Sequence, residues 1–175
     1  MFPIITLDKA EDFDHFIQEE SGTSTIDLPS LQVVEKIQET GKCIVKVRIP
    51  KEDAFGYPIT NISDGFGILG DLDEIVELHI LDWGNVEVIE DYALHYCPNL
   101  VKIPDTWSKV RVIGINTFSF SGISKLPEDF SGSEKIGELA FSHCENLTEL
   151  PEAIFDTPIS FGESVFACCP IREIK

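Results

Sequence analysis

Apolar residues recur through the C-terminal two-thirds of the chain at a spacing too long for one helix or strand. An opening apolar position falls at Ile89, Ile113, Ile136 and Phe161, at intervals of 24, 23 and 25 residues. A small residue follows at Cys97, Ser121, Cys144 and Cys169 with the same intervals. An apolar pair comes next, Leu100/Ile103, Ile123/Leu126, Leu147/Leu150 and Ile171/Ile174, with Pro104, Pro127 and Pro151 after the first three. Columns aligned at one period predict a solenoid, in which no unit can bury its own apolar face and each leans on its neighbours. Each coil is expected to supply one short strand, stacked about 4.8 Å from the next in a parallel sheet. The Leu/Ile pairs then point inward and the residues between them outward. Phe118, Phe141 and Phe166 align as an aromatic stack on the opposite, convex side. Gly114, Gly137 and Gly162 fit a tight corner where a Cβ would be costly.

The pattern weakens upstream. "IVELHI" (75–80) places Ile75, Leu78 and Ile80 in an L-x-x-L-x-L spacing, 25 residues before Leu100, and "ITNISDGFGILG" (59–70) supplies its other half. Residues 1–59 lie outside the repeat and read as an α+β cap; residues 60–175 read as about four to five coils. Within the cap, "FPIITL" predicts a strand, and "KAEDFDHFIQEE" a helix with Phe13, Phe16 and Ile17 on one face. "SLQVVEKIQET" predicts a second helix ending before Gly41. "KCIVKVRIP" alternates Cys43, Val45, Val47 and Ile49 against Ile44, Lys46 and Arg48, the mark of a half-buried strand.

The coil "KIGELAFSHCENLTELPEA" (135–153) resembles the BspA-like leucine-rich repeat, roughly I-G-x-x-A-F-x-x-C-x-x-L-x-x-I-x-I-P. Ile136, Gly137, Ala140, Phe141, Cys144, Leu147, Leu150 and Pro151 all fall in place. The resemblance covers residues 60–175, with departures at Glu90 for glycine, Leu94 for phenylalanine and Ser121 for cysteine. It implies an α/β leucine-rich-repeat solenoid with a short-stranded parallel sheet. It also implies a non-catalytic scaffold that recognises proteins.

Charge adds a second reading. The net charge is −18, and residues 61–99 hold nine acids and no Lys or Arg. Such a field repels nucleic acid and anionic lipid and attracts basic or mixed-charge protein surfaces. It also admits an alternative, an acidic decoy that imitates nucleic-acid phosphates to occupy a DNA- or RNA-binding enzyme, a device typical of phage-encoded inhibitors. No apolar run is long enough to cross a membrane. The N-terminus lacks a signal-peptide pattern and the five cysteines are an odd number, so a cytoplasmic protein is expected, in the producing cell or a viral host.

Candidate chemistry changes the picture little. His143 beside Cys144 suggests a thiolate–imidazole pair, but Cys144 belongs to the inward column. Cys97, Cys144 and Cys169 stand whole coils apart, unlike zinc ligands. No catalytic or nucleotide-binding motif is present, so neither enzyme activity nor a cofactor is expected. The expected contact residues are therefore outward strand and loop positions. They are Glu77, His79, Val101, Lys102, Lys125, Thr148, Glu149, Arg172 and Glu173 on the concave sheet, with Trp83 and Trp107 in the flanking loops. Five strands of about three residues present roughly 240 Å², against roughly 800 Å² per partner in a standard interface, so the loops must contribute. The last strand, Arg172 to Lys175, is an edge where a second copy could pair unless its charges protect it.

Overall fold

The computed structural model describes residues 1–18 and 21–175; the side chains of Asp14, His15, Gln18 and Leu28 also lie outside the description. The first half holds β1 (Ile4–Leu7), β2 (Phe13–Gln18), β3 (Ser24–Pro29), α1 (Leu31–Thr40), β4 (Cys43–Arg48), β5 (Ile59–Ile62), α2 (Ile68–Asp71) and β6 (Ile75–Asp82). The second half has shorter elements: β7 (Val88–Ile89), β8 (Leu100–Lys102), β9 (Val112–Ile113), β10 (Lys135–Ile136), β11 (Glu149–Leu150), α3 (Ala153–Asp156), β12 (Ser160–Phe161) and β13 (Glu173–Ile174).

Two sheets enclose one apolar layer. The front sheet runs β1-β4-β6-β8, all parallel, and the parallel pair β11–β13 carries the same columns two coils further on. The back sheet runs β12-β10-β9-β7-β5-β3-β2, parallel except for the β2–β3 hairpin. Val45, Val47, Leu78, Ile80 and Leu100 of the front sheet and Ile26, Ile62, Ile89, Ile113 and Ile136 of the back sheet are fully buried in one cluster. Residues 1–59 contribute β1 and β4 to the front sheet and β2 and β3 to the back one, where β3 pairs with β5, so both sheets continue across residue 59. The helix α1 begins at Ser30, whose hydroxyl accepts the Val33 N–H, and stops at Gly41 with φ 71°. It buries Val33 and Ile37, one turn apart.

The helix expected over residues 9–20 does not form. Residues Ala10–Asp12 make a single 3-10 turn, and β2 follows, paired antiparallel to β3 with Phe16 opposite Ile26. Glu19 and Glu20 lie outside the described residues. Phe13, Phe16 and Ile17 suit a helix face and a strand equally. The β-branched "STIDLP" segment, itself paired to β5, offers β2 a ready edge, and tertiary pairing overrides local propensity. As a result Phe13 is buried while Ile17 is 51% exposed.

Between the sheets, the turns stack in three registers. The aromatic column forms as expected: Phe118 and Phe141 lie 5.2 Å apart and 2° from parallel, Phe166 follows at 5.6 Å, and Trp107 stacks on Phe118 at 5.7 Å. Phe118 and Phe141 are wholly inside the core. The small column donates into the preceding coil: Cys144 Sγ–H reaches the Phe118 carbonyl at 3.2 Å and Cys169 the Phe141 carbonyl at 3.0 Å. A larger residue would not fit under the stack.

The third register is a pair of columns at positive φ, Tyr92, Asn116, Leu139 and Ser164, then Tyr96, Phe120, His143 and Cys168, with φ from 54° to 63°. This conformation costs a residue with a Cβ roughly 1–2 kcal/mol. An inter-coil ladder holds it. Tyr92 N–H donates to Ile115 O and Tyr96 N–H to Ser119 O, both at 2.9 Å, and Phe120 and His143 donate to Ser142 and Ala167 at 2.9 and 2.8 Å.

The glycine corner is set by close approach. A Cβ on Gly137 would sit 2.6 Å from the Gly114 carbonyl carbon, and one on Gly114 2.4 Å from Asp91 N. Backbone atoms cannot rotate away, so the coils must separate. Gly137→Ala is expected to lower stability by about 1–3 kcal/mol, read as a lower urea midpoint at an unchanged denaturant slope. A wild-type midpoint would show that the corner has room.

Candidate functional site

The front sheet brings most of the expected contact residues onto one face, but in a different register. Aligning the coils by apolar columns puts Glu77 beside Lys102. The strand pairing instead sets Leu78 opposite Leu100 and His79 opposite Lys102, with an irregularity between Leu78 and His79. Val101 is the residue skipped, and it is 37% exposed. On the other side of β6, Glu77 pairs with Ile44 and His79 with Lys46. The outward line across the sheet is therefore Thr6, Lys46, His79 and Lys102. Lys125 falls one repeat later, outside the strands and beside Glu149, and Glu149 and Glu173 stand opposite each other beyond it.

The alternation of β4 points Lys46 outward while Cys43, Val45 and Val47 are buried. The repeat pattern does not mark Lys46 as a contact residue, because β4 lies outside the period; the alternation along β4 is the signal that places it outward. Lys102 and Lys125 are exposed, and Lys46 and His79 are half-buried. Among the described residues, none of the three lysines has an ion pair or a side-chain hydrogen bond. His79 Nε2 donates to Glu77 Oε2 at 2.8 Å.

At the C-terminal end of the face the charges are paired. Lys175 Nζ lies 2.7 Å from Glu149 and 3.2 Å from Glu173. The hydrogen bond from Lys175, with the charge of Lys125 adding to it, holds the Glu149 carboxyl below its usual range. Glu149 and Lys175 line a recess of about 540 Å³ with Lys125, Leu126, Glu128 and Pro151. Arg172 is exposed; its N–H donates to the carbonyl of half-buried Thr148 at 2.8 Å.

Trp83 and Trp107 are not surface residues, which corrects the expectation that their side chains offer contacts. Trp83 is 4% and Trp107 0% exposed, packed edge-on at 6.3 Å. Trp107 packs inward on Phe118, Phe130 and Phe141, and Lys51, Asp105 and Lys109 line a recess beside the two indoles. The acids of 61–99 do not form one patch. Asp64, Glu90 and Asp91 share a recess, while Asp71, Asp73 and Glu74 precede β6 and Asp82 ends it, roughly 25 Å along the strand.

Among the described residues, no group of three or more His, Cys, Asp or Glu side chains could hold a metal, and no helix is long and apolar enough to cross a membrane. Cys144 is buried; a shared hydrogen bond with Cys169 and then burial push its thiol well above the ordinary range. Burial raises Cys97 to about 12. Cys168 is exposed. Maleimide labelling of the folded protein is therefore expected to reach Cys168 first and to spare Cys43, Cys97 and Cys144, read by peptide mass mapping. Rapid labelling of Cys144 would show that its column is open.

Residues 73–175 match the family described as BspA type leucine rich repeat region (6 copies). No curated protein matches the chain. Among solved structures, a leucine-rich repeat protein from Bacteroides ovatus is 16% identical, aligned over 94% of this chain and 52% of that one, with a TM-score of 0.44. A leucine rich cell surface protein from Faecalibacterium prausnitzii is 14% identical over 91% of this chain and 74% of that one, with a TM-score of 0.30. The chain thus spans about half the length of the Bacteroides protein.

Proposed function

Since the chain belongs to the BspA type leucine rich repeat family, a fold suited to protein interaction, we propose that its front sheet takes an extended, carboxylate-bearing segment of a partner protein. The observation that carries this reading is the alignment of Lys46, His79 and Lys102 across paired strands, with Lys125 one repeat further on, on a chain of net charge −18. Among the described residues Lys175 is the lysine that forms an ion pair, so it is alignment rather than lack of a partner that marks these side chains. Lys46 on β4 and Lys102 on β8 flank His79 of β6 on one face, and Lys125 follows one repeat later.

The dimensions agree. Three steps of about 4.8 Å make a line of about 14 Å, and an extended peptide repeats its side chains on one face every 6.8 Å or so. Carboxylates at positions i, i+2 and i+4 span the same length. At physiological salt the Debye length is about 8 Å, so the distant acids are screened while the local line still acts. Exposed Val76 and Val101 supply apolar contact beside the charges. The module is read as non-catalytic and as working without a cofactor. The nucleic-acid decoy gains nothing from the separation of Asp71, Asp73 and Glu74 from Asp82.

Fluorescence polarisation with a labelled Glu-Ser repeat decapeptide at 150 mM salt tests the proposal, with the Gln-Ser peptide as control. Saturable binding of the first, at least tenfold tighter than the second, is expected. Equal binding of the two, or none, would refute it.

A further inference from the structure

A run of aromatic rings crosses three coils on the turn side of the solenoid, away from the front sheet. Tyr92 meets His95 edge-on at 5.6 Å; His95 lies 6.0 Å from both Tyr96 and Phe120. Tyr96 and Phe120 are 5.5 Å apart, and Phe120 lies flat on His143 at 4.4 Å and 5°. Unlike the interior Phe118–Phe141 stack, this ladder faces solvent. Tyr96 is 59%, Tyr92 48% and Phe120 41% exposed. His95 is fixed in place by Ser119, Nδ1 to Oγ at 2.6 Å.

Folding of the turn does not call for these rings. Tyr92, Tyr96, Phe120 and His143 all sit at positive φ, where glycine or asparagine fits with the least strain. The inter-coil hydrogen bonds that hold the turn use only their backbone N–H groups.

The turn segments carry acids and no bases. Turn segments 90–99, 114–123, 137–146 and 162–171 contain Glu90, Asp91, Glu138, Glu145 and Glu163 and no Lys or Arg. At the Tyr92 end, Asp64, Glu90, Asp91 and Tyr92 line a recess of about 520 Å³. Asn61 donates to Glu90 and the Ile115 N–H to Asp91, and each carboxylate keeps further lone pairs for a ligand.

We infer that this ladder is a second docking surface, for an arginine- or lysine-bearing segment of a partner protein. Carboxylates beside exposed aromatic rings match a guanidinium or ammonium group, which the ring π-systems and the acids both attract. A purely apolar partner would strip water from the carboxylates without replacing it. A polyanion at this place would be repelled by the carboxylates beside the rings, which draw basic side chains instead. The inference stands on residues separate from the front sheet and survives if that reading fails.

The test is polarisation of a fluorescein-labelled Arg-Gly repeat decapeptide at 150 mM salt. Wild-type protein should bind it saturably, and Lys102→Gln/Lys125→Gln, altered only on the front sheet, should match wild type within twofold. Tyr96→Asn/Phe120→Asn should lose at least tenfold in affinity while keeping its thermal midpoint, because asparagine tolerates positive φ. His143→Asn, at the far end of the ladder, should lose affinity in the same direction. Undiminished binding by the double variant, or equal displacement by spermidine at matched charge, would overturn the inference and leave only a net-charge effect.

Discussion

Phe141→Ala is expected to remove about 3–5 kcal/mol of stability, the largest effect of any single substitution proposed for this protein. Phe141 is fully buried, flat against Phe118, 5.6 Å from Phe166 and 6.2 Å from Trp107. Its loss leaves a cavity between coils held in place by their hydrogen-bond ladders, so the site cannot collapse freely. Domains have a total stability of about 5–15 kcal/mol, so the variant should be largely unfolded at moderate urea. Phe166→Ala, in a half-buried position, should cost clearly less. Urea melts of the two variants beside wild type measure both. Equal effects would mean that the stack is not the axis of the fold.

The second large effect concerns binding. Lys102→Glu/Lys125→Glu should weaken binding of the Glu-Ser peptide by roughly five- to several-hundred-fold. Each exposed ion pair is worth about 0.2–1 kcal/mol, and reversal replaces attraction with repulsion at two places, for about 1–4 kcal/mol in all. Stability should change by less than about 1 kcal/mol, since both side chains are exposed and only Lys125 has a carboxylate, Glu149, that feels its charge. A loss of binding that came with unfolding would assign these lysines to the scaffold instead.

The parts of this fold that can be read in the sequence are those that stacking repeats. Gly114 and Gly137 face neighbouring coil backbones, Phe118 and Phe141 face each other, and Cys144 reaches back one coil; each such contact demands one residue type per period. What escapes is local to one junction. The slip at Leu78 depends on how β6 and β8 accommodate each other, and no residue in either strand announces it. Lys46 was hidden because β4 lies outside the period although it shares the sheet. The β2–β3 hairpin escaped because Phe13, Phe16 and Ile17 fit two periodicities. Trp83 and Trp107 looked like surface residues because their segments connect strands, yet both indoles are buried. The ring ladder carried no signal, since positive φ is ordinarily marked by glycine or asparagine and here bears Tyr, Phe and His.

The most direct measurement is a nuclear magnetic resonance titration of isotopically labelled protein with the Glu-Ser peptide. The expected result is a set of saturable amide shifts clustered at Lys46, His79, Lys102 and Lys125, with the Tyr96–His143 turns unmoved. Shifts centred elsewhere, or none at saturating peptide, would contradict recognition by the front sheet.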